Sequence, residues 1–423
     1  MIDPHQYAQQ LHATISSDAR PAQRISFVSS ECDPNTAFAA LQGATRHGND
    51  FIEAALEAGA PFILTDQDVP RAVRVPDATV ALRSWARLHR DSTQAEIIGI
   101  TGSAGKTTAK SLVSSALDCS CTPGNLNTLN YLACYLLSEV TADSTHVIEM
   151  GIDRIGEMDD LMALVAPNVG VITAVGAAHT EFLGSVETVQ YEKGRILQAP
   201  YNLVAGNTAH RYPNTNSYGF LESCSHRAIN VQVSAEAVSF SYHGQSIRLE
   251  TPSLQIAESA VLALALAEHY GIALETAKNR LENSQIPGGR LKIERGKITL
   301  IDDAYNANPL SMTASLETLA RFSGRKVAIL GHMRELGVDS RRYHSEVGAT
   351  AGQLADLVIA IGEHGDALAQ AALENGADAL WYASTTEAKQ RFLPDIQNGD
   401  TILVKGSRFM QLEQIVEVLR ERL

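Results

Sequence analysis

The chain has 423 residues, 45% of them hydrophobic and 19% charged, enough for about two to four domains with cores of their own. A formal net charge of −14 argues against nucleic acid as a main partner, because neutralising phosphates takes clustered Lys and Arg. The five scattered cysteines contain no C-x-x-C and indicate neither a disulfide framework nor a zinc site, and with no basic-apolar leader and no run of about 18 apolar residues the expectation is a cytoplasmic protein without a membrane span.

Up to about Glu96 the pattern reads as a small α/β unit. It has strand-like Ile25 to Ser29, an apolar patch from Ala37 to Leu41, a helix across Phe51 to Ala58, and strand-like Pro61 to Thr65. The polar segment Gln42 to Asp50 reads as a connecting loop.

A phosphate-binding loop follows. The β-branched run Ile97 to Ile100 has strand character, and Ala109, Leu112, Val113, Ala116 and Leu117 fall at helical spacing beyond Lys106. Between them stands Thr101-Gly102-Ser103-Ala104-Gly105-Lys106-Thr107-Thr108, shorter than the full G-x-x-x-x-G-K-[ST], since Ile100 holds the place of its first glycine. Backbone N–H groups at a helix start can surround a triphosphate there, with Lys106 as a point charge and the Thr107 hydroxyl on Mg²⁺.

Two further strands, Thr145 to Ile148 and Val169 to Val175, run into Glu149 and His179, placing metal-capable side chains just past strand ends. In a parallel sheet that edge is the ligand crevice, so both are expected to share a site with the phosphate loop. From the residues alone, Lys193 is simply a lysine on a helix beginning near Ser185. Alternating stretches between 224 and 250 suggest antiparallel strands, and the Ala/Leu-rich helix from about Ile256 to Tyr270 reads as core. After Pro287 come strands at Ile298 to Ile301, Lys326 to Leu330, Leu357 to Ile361 and Thr401 to Val404, a Rossmann-like alternation in which Asn308 caps a helix whose first residue is Pro309.

Taken together, these motifs resemble the Mur ligase family. The resemblance spans nearly the whole chain and rests on the phosphate loop, Gly124-Asn125-Leu126-Asn127, Val147-Ile148-Glu149-Met150-Gly151, Ala178-His179, Glu192-Lys193-Gly194, Pro287-Gly288-Gly289-Arg290 and Asp303-Ala304-Tyr305-Asn306-Ala307-Asn308-Pro309. Within the family the chain looks most like the members that add D-alanyl-D-alanine to UDP-N-acetylmuramoyl-tripeptide. The resemblance implies an α/β fold in three domains: an N-terminal substrate-binding domain over 1–95, a central P-loop ATP-binding domain over 96–287 and a C-terminal Rossmann-like ligase domain over 288–423.

It also implies an ADP-forming amide ligation. ATP phosphorylates a small-molecule acid, and an amino acid or dipeptide attacks the acyl phosphate. Lys106, His179 and Lys193 are then expected to be catalytic, and Gly102, Ser103, Gly105, Lys106, Thr107, Thr108, Arg290, Asp303 and Asn306 to bind nucleotide. Mg²⁺ would be held through Thr107 and Glu149, with His179 and a carbamylated Lys193 serving metal as well. Asn125, Asn127, Lys405 and Arg408 are expected on the side of the substrate or acceptor, or in domain closure. The oligomeric state stays open.

Four places depart from the family pattern. Val28-Ser29-Ser30-Glu31 stands where an Asp-Ser/Thr-Arg element helps to hold UDP, and Thr128-Leu129-Asn130-Tyr131 replaces an Asn and a Gly. Leu254-Gln255 replaces a His-Asn pair near the adenine, and His332 replaces an Asp. A serine or an acid cannot do an arginine's work on a diphosphate. The sequence therefore leans slightly toward a smaller acid or one without a UDP-sugar, with the peptidoglycan-precursor ligase as the alternative. Two other classes fit the motifs less well. A P-loop NTPase without ligation would leave Asp303 to Pro309 and Lys193 without purpose, and the intact loop, Glu149 and His179 argue against a silent partner subunit.

Overall fold

The computed structural model describes residues 1–6, 8–43, 45–284 and 290–423. The first unit is a five-stranded sheet in the order Thr14–Ile15, Ala72–Arg74, Ile63–Thr65, Thr36–Ala39, Arg24–Ser26, antiparallel only at the Thr14–Ile15 edge. The predicted strands and the helix (Ile52–Glu57) are present. The helix Ala78–Ser92 was not anticipated. Asp77 caps it by accepting from the Thr79 and Val80 N–H groups, and Ala78, Ala81, Leu82, Trp85 and Ala86 form its buried face. Trp85 stacks on Phe62 at 5.7 Å, and the same core continues into Leu132, Leu136 and Leu161 of the second unit. Arg90 fixes the joint: its guanidinium donates to the Val165 and Ala166 carbonyls at the end of the helix Glu157–Val165, where cations are favoured.

The second unit carries a seven-stranded sheet of strands paired in parallel, in the order His226–Arg227, Asn216–Gly219, Tyr201–Ala205, Val169–Ile172, Glu96–Thr101, Thr145–Glu149, Ser120–Cys121. The phosphate-loop strand Glu96–Thr101 therefore lies between the strands leading to His179 and Glu149. The alternating region is a three-stranded antiparallel sheet of Ile229–Val233, Val238–Tyr242 and Gln245–Leu249. The helix Leu254–His269, capped by Ser253, is buried on nearly all sides and packs on the loop helix Lys106–Leu117.

The third unit is a six-stranded sheet in the order Lys292–Arg295, Thr299–Asp302, Thr401–Lys405, Lys326–Gly331, Leu357–Ile361, Asp378–Tyr382. Its pairs are parallel except at Lys292–Arg295. That edge runs antiparallel because only Gly296 to Ile298 join it to the next strand, too few for a crossover. Asn308 caps the helix Pro309–Leu319 in a reciprocal capping box with Ser311. The expected boundary at 287/288 and the motif residues Pro287, Gly288 and Gly289 lie outside the described residues.

Candidate active site

The phosphate loop has a shape that only its glycines allow. Gly102 has φ +155°, and a Cβ there would lie 2.1 Å from Thr173 Oγ1; Gly105 is left-handed at φ +82° and opens the helix. Thr173 Oγ1 donates to the Ala104 carbonyl at 2.6 Å and Ser103 Oγ to that of Gly176 at 3.0 Å, so the neighbouring strand's extension holds the loop's outline. The first N–H groups of Lys106–Leu117 face a cavity of about 310 Å³, where an anion would satisfy them. Lys106 Nζ rests on the Gly102 carbonyl at 2.7 Å. Burial pulls its ammonium below the ordinary lysine range, which Glu149 opposes and Arg290 reinforces.

Glu149 is the buried hub of the floor. Its Oε2 accepts from Thr107 Oγ1 at 2.7 Å and its Oε1 from Asn127 Nδ2 at 3.0 Å. Lys110, one turn beyond Lys106, brings Nζ to 3.6 Å from Oε2 and donates to the Gly124 carbonyl at 2.6 Å. A hydroxyl and a carboxylate beside a phosphate loop are hard oxygen donors of the kind Mg²⁺ takes. Among the described residues no group of three or more His, Cys, Asp or Glu converges as a metal cage.

The third unit supplies the other wall. Arg290 Nη2 donates to Thr107 Oγ1 at 3.2 Å, and its guanidinium lies 4.1 Å from the Tyr305 ring centroid. Asp303 accepts from Lys405 Nζ and Ser315 Oγ, both at 2.6 Å, while Lys405 also donates to the Asn306 carbonyl at 3.0 Å. Asn308 Nδ2 donates to the Ser103 carbonyl at 2.8 Å, tying this wall to the phosphate loop. A second tie lies at His179, whose Nδ1 is 2.6 Å from Glu335 Oε2 but too poorly aligned to count as a hydrogen bond. Beside it Thr180 Oγ1 donates to the Leu336 carbonyl and Glu181 N–H to that of Glu335, both at 3.1 Å.

The cavity thus gathers most of the expected residues: Ser103, Gly105, Lys106, Thr107, Thr108, Asn125, Asn127, Glu149, His179, Arg290, Asp303, Asn306 and Lys405 all line it, while Gly102 does not and meets it only through the Lys106 ammonium on its carbonyl. Lys193 is not among the lining residues: it is fully buried, and burial together with the Lys106 charge pulls its pKa well below the usual range. Lys405 and Arg408, paired in the sequence reading, part company here. Lys405 is buried on Asp303, whereas Arg408 lines an adjoining cavity and contacts Glu413 at 3.3 Å. Asn127 is spent on Glu149, so its amide positions that carboxylate.

Some contributors escaped sequence reasoning. Lys110 carried a usable signal, its i,i+4 spacing from Lys106 on one helix face. Asn308 was read only as a cap, and Glu335 gave no local signal. Among the departures, Gln255 lines the main cavity and Leu254 is exposed. His332 stacks on His344 with centroids 4.8 Å apart, in a separate cleft.

Two family models match the chain, the Mur ligase middle domain over residues 100–267 and the Mur ligase glutamate ligase domain over residues 289–408. The UDP-N-acetylmuramoyl-tripeptide--D-alanyl-D-alanine ligase of Bacillus subtilis (strain 168) is 30% identical over 443 residues, covering 98% of this chain and 95% of its own length. That of Escherichia coli (strain K12) is 31% identical over 418 residues, covering 92% and 91%. A crystal structure of MurF from Acinetobacter baumannii superposes with a TM-score of 0.89 at 26% identity, covering 99% of each chain. The ADP complex of the MurF ligase from Thermotoga maritima shares the fold, with a TM-score of 0.82 at 24% identity over 95% of this chain and 98% of that one.

Proposed function

The chain belongs to the Mur ligase family and is an ATP-dependent, ADP-forming amide ligase, and from that premise we propose that it joins D-alanyl-D-alanine to a UDP-N-acetylmuramoyl-tripeptide. The observation that carries the substrate is where the likeness extends. Both family models leave out residues 1–95, yet relatives named for this reaction match 98% of the chain, the first unit included.

The geometry suits the chemistry. A carboxylate is a poor acyl donor, and transferring a γ-phosphoryl group to it demands charge neutralisation and alignment. The loop N–H groups receive phosphate oxygens, and Lys106 leaves the Gly102 carbonyl for the transferring group. Thr107 and Glu149 would hold Mg²⁺, which when bound offsets phosphate charge. Arg290 stands beside Thr107, and Asp303, braced by Lys405 and Ser315, offers its carboxylate to the nucleotide. The ties Asn308 to Ser103 and Glu335 to His179 shut the third unit over the loop and keep water from an acyl phosphate.

Lys193 belongs to this reading as a carbamate. Burial favours its uncharged amine, the form that adds to CO₂, and the resulting anion suits a metal-bearing site better than an ammonium. The five free cysteines accord with a reducing cytoplasm, where we place the reaction. Among the described residues no helix is long and apolar enough to cross a membrane.

One observation favours a second reading, a smaller acid. At the end of the strand Arg24–Ser26, Glu31 accepts from Ser26 Oγ at 2.6 Å, a carboxylate where a UDP diphosphate would need a cation. ADP release assayed with each substrate alone and with both tests the proposal. Release that requires UDP-N-acetylmuramoyl-tripeptide and D-alanyl-D-alanine together supports it; release with another acid alone in that role favours the second reading.

A further inference from the structure

Beyond the nucleotide cavity a second chamber of about 260 Å³ shares Ser103, Lys106, Asn125 and His179 with it, and so opens onto the place where the acyl phosphate forms. Its far side comes from the third unit: Arg334, Glu335, Ser407, Arg408 and Phe409. The charges there are unbalanced. Lys106, Arg334 and Arg408 bring three cations, while the one carboxylate, Glu335, lies against His179. Arg408 is partly answered by Glu413 outside the chamber. Arg334 makes no ion pair among the described residues; the neighbouring Glu335 feels its charge but is held at His179 Nδ1, 2.6 Å away. Its position is nevertheless built: its backbone N–H donates to Ser407 Oγ at 3.0 Å, and its guanidinium lies 5.0 Å from the Phe409 ring centroid.

We propose that Arg334 receives the terminal carboxylate of the acceptor, so that this chamber selects amines ending in a free acid and directs their amino end toward Lys106 and His179. A guanidinium held against an aromatic face is a pre-set fork for a carboxylate, and it loses little freedom on binding. The ATP phosphates are served from the other side of Lys106 by the loop, which leaves the Arg334 charge for a different anion. This deepens the reading of the amine as D-alanyl-D-alanine and rests on it.

The test compares D-alanyl-D-alanine with its C-terminal carboxamide as acceptors for the unsubstituted enzyme and for Arg334→Gln. Arg334 is exposed and its ordering bond is made by its backbone, so the variant is expected to fold. The unsubstituted enzyme should favour the acid by about 10- to 100-fold in kcat/KM, the size of a charge-assisted contact, and Arg334→Gln should bring that ratio close to one with KM for ATP unchanged. A ratio left intact by Arg334→Gln, or an equal loss for both acceptors with a raised KM for ATP, overturns the assignment. If neither acceptor supports ADP release, the D-alanyl-D-alanine reading itself fails. The same acid-to-amide ratio, taken on whichever amino acid does support release, then judges Arg334 separately.

Discussion

Lys106 Nζ lies 2.7 Å from a loop carbonyl that a triphosphate would displace, and no core contact depends on its charge. Lys106→Ala should therefore lower ADP formation by on the order of 100-fold or more while leaving the circular dichroism spectrum unchanged. Lys193 is different, being fully buried. If Lys193 carries the proposed carbamate, Lys193→Ala should be inactive and partly rescued by a small carboxylic acid in its place; high activity without rescue would contradict that role. A third residue governs acid stability. His344 is fully buried, donates from Nδ1 to the Ser340 carbonyl and accepts at Nε2 from Met333 N–H; burial, with neighbouring His332 and His364, depresses its pKa from 6.5 to about 4, against the opposing pull of the Ser340 bond and Asp366. Its neutral form is the native one. The stability it contributes is present above pH 6.5 and drains away as pH falls toward 4, up to about 3 kcal/mol. Urea unfolding at pH 7.5 and 5 should show a loss that His344→Gln reduces. At this scale the sequence was legible where function is contiguous, as in the phosphate loop. It was silent where partners meet across 102 residues, as Lys405 and Asp303 do, or across domains, as His179 and Glu335 do.

Elements buried on both faces announced themselves. The runs around Ile98, Val147, Val171, Ile329 and Ile359 became inner strands with no polar face, as parallel sheets require. Short edge strands such as Thr14–Ile15 and Lys292–Arg295 did not, since two to four half-exposed residues carry little periodicity. The helix Ala78–Ser92 was missed although its buried positions recur at helical spacing, because three arginines and a histidine are interleaved with them. Its Trp85 makes the helix a structural joint between the first two units. Trp85→Ala should lower stability by about 3–5 kcal/mol, read from the urea midpoint, and a loss below about 1 kcal/mol would show that the joint holds without it.

At the scale of the whole molecule, the second and third units place their functional residues on one cleft and meet through Arg290, Asn308 and Glu335. The motifs disclosed this plan where they lie at a strand end or a helix start beside the cleft, as the phosphate loop, Glu149, His179 and Asn308 do. They could not disclose which acid the first unit accepts, since Glu31 and Ser26 answer each other instead of a ligand. The acid that the enzyme takes defines its reaction, and the product identifies that acid. Incubation with ATP, UDP-N-acetylmuramoyl-tripeptide and D-alanyl-D-alanine, followed by mass spectrometry, should yield the UDP-N-acetylmuramoyl-pentapeptide with one ADP per amide formed, at a KM for the tripeptide substrate within the usual range of about 1 μM to 1 mM. No pentapeptide under these conditions, from an enzyme that forms ADP with another acid, would contradict it.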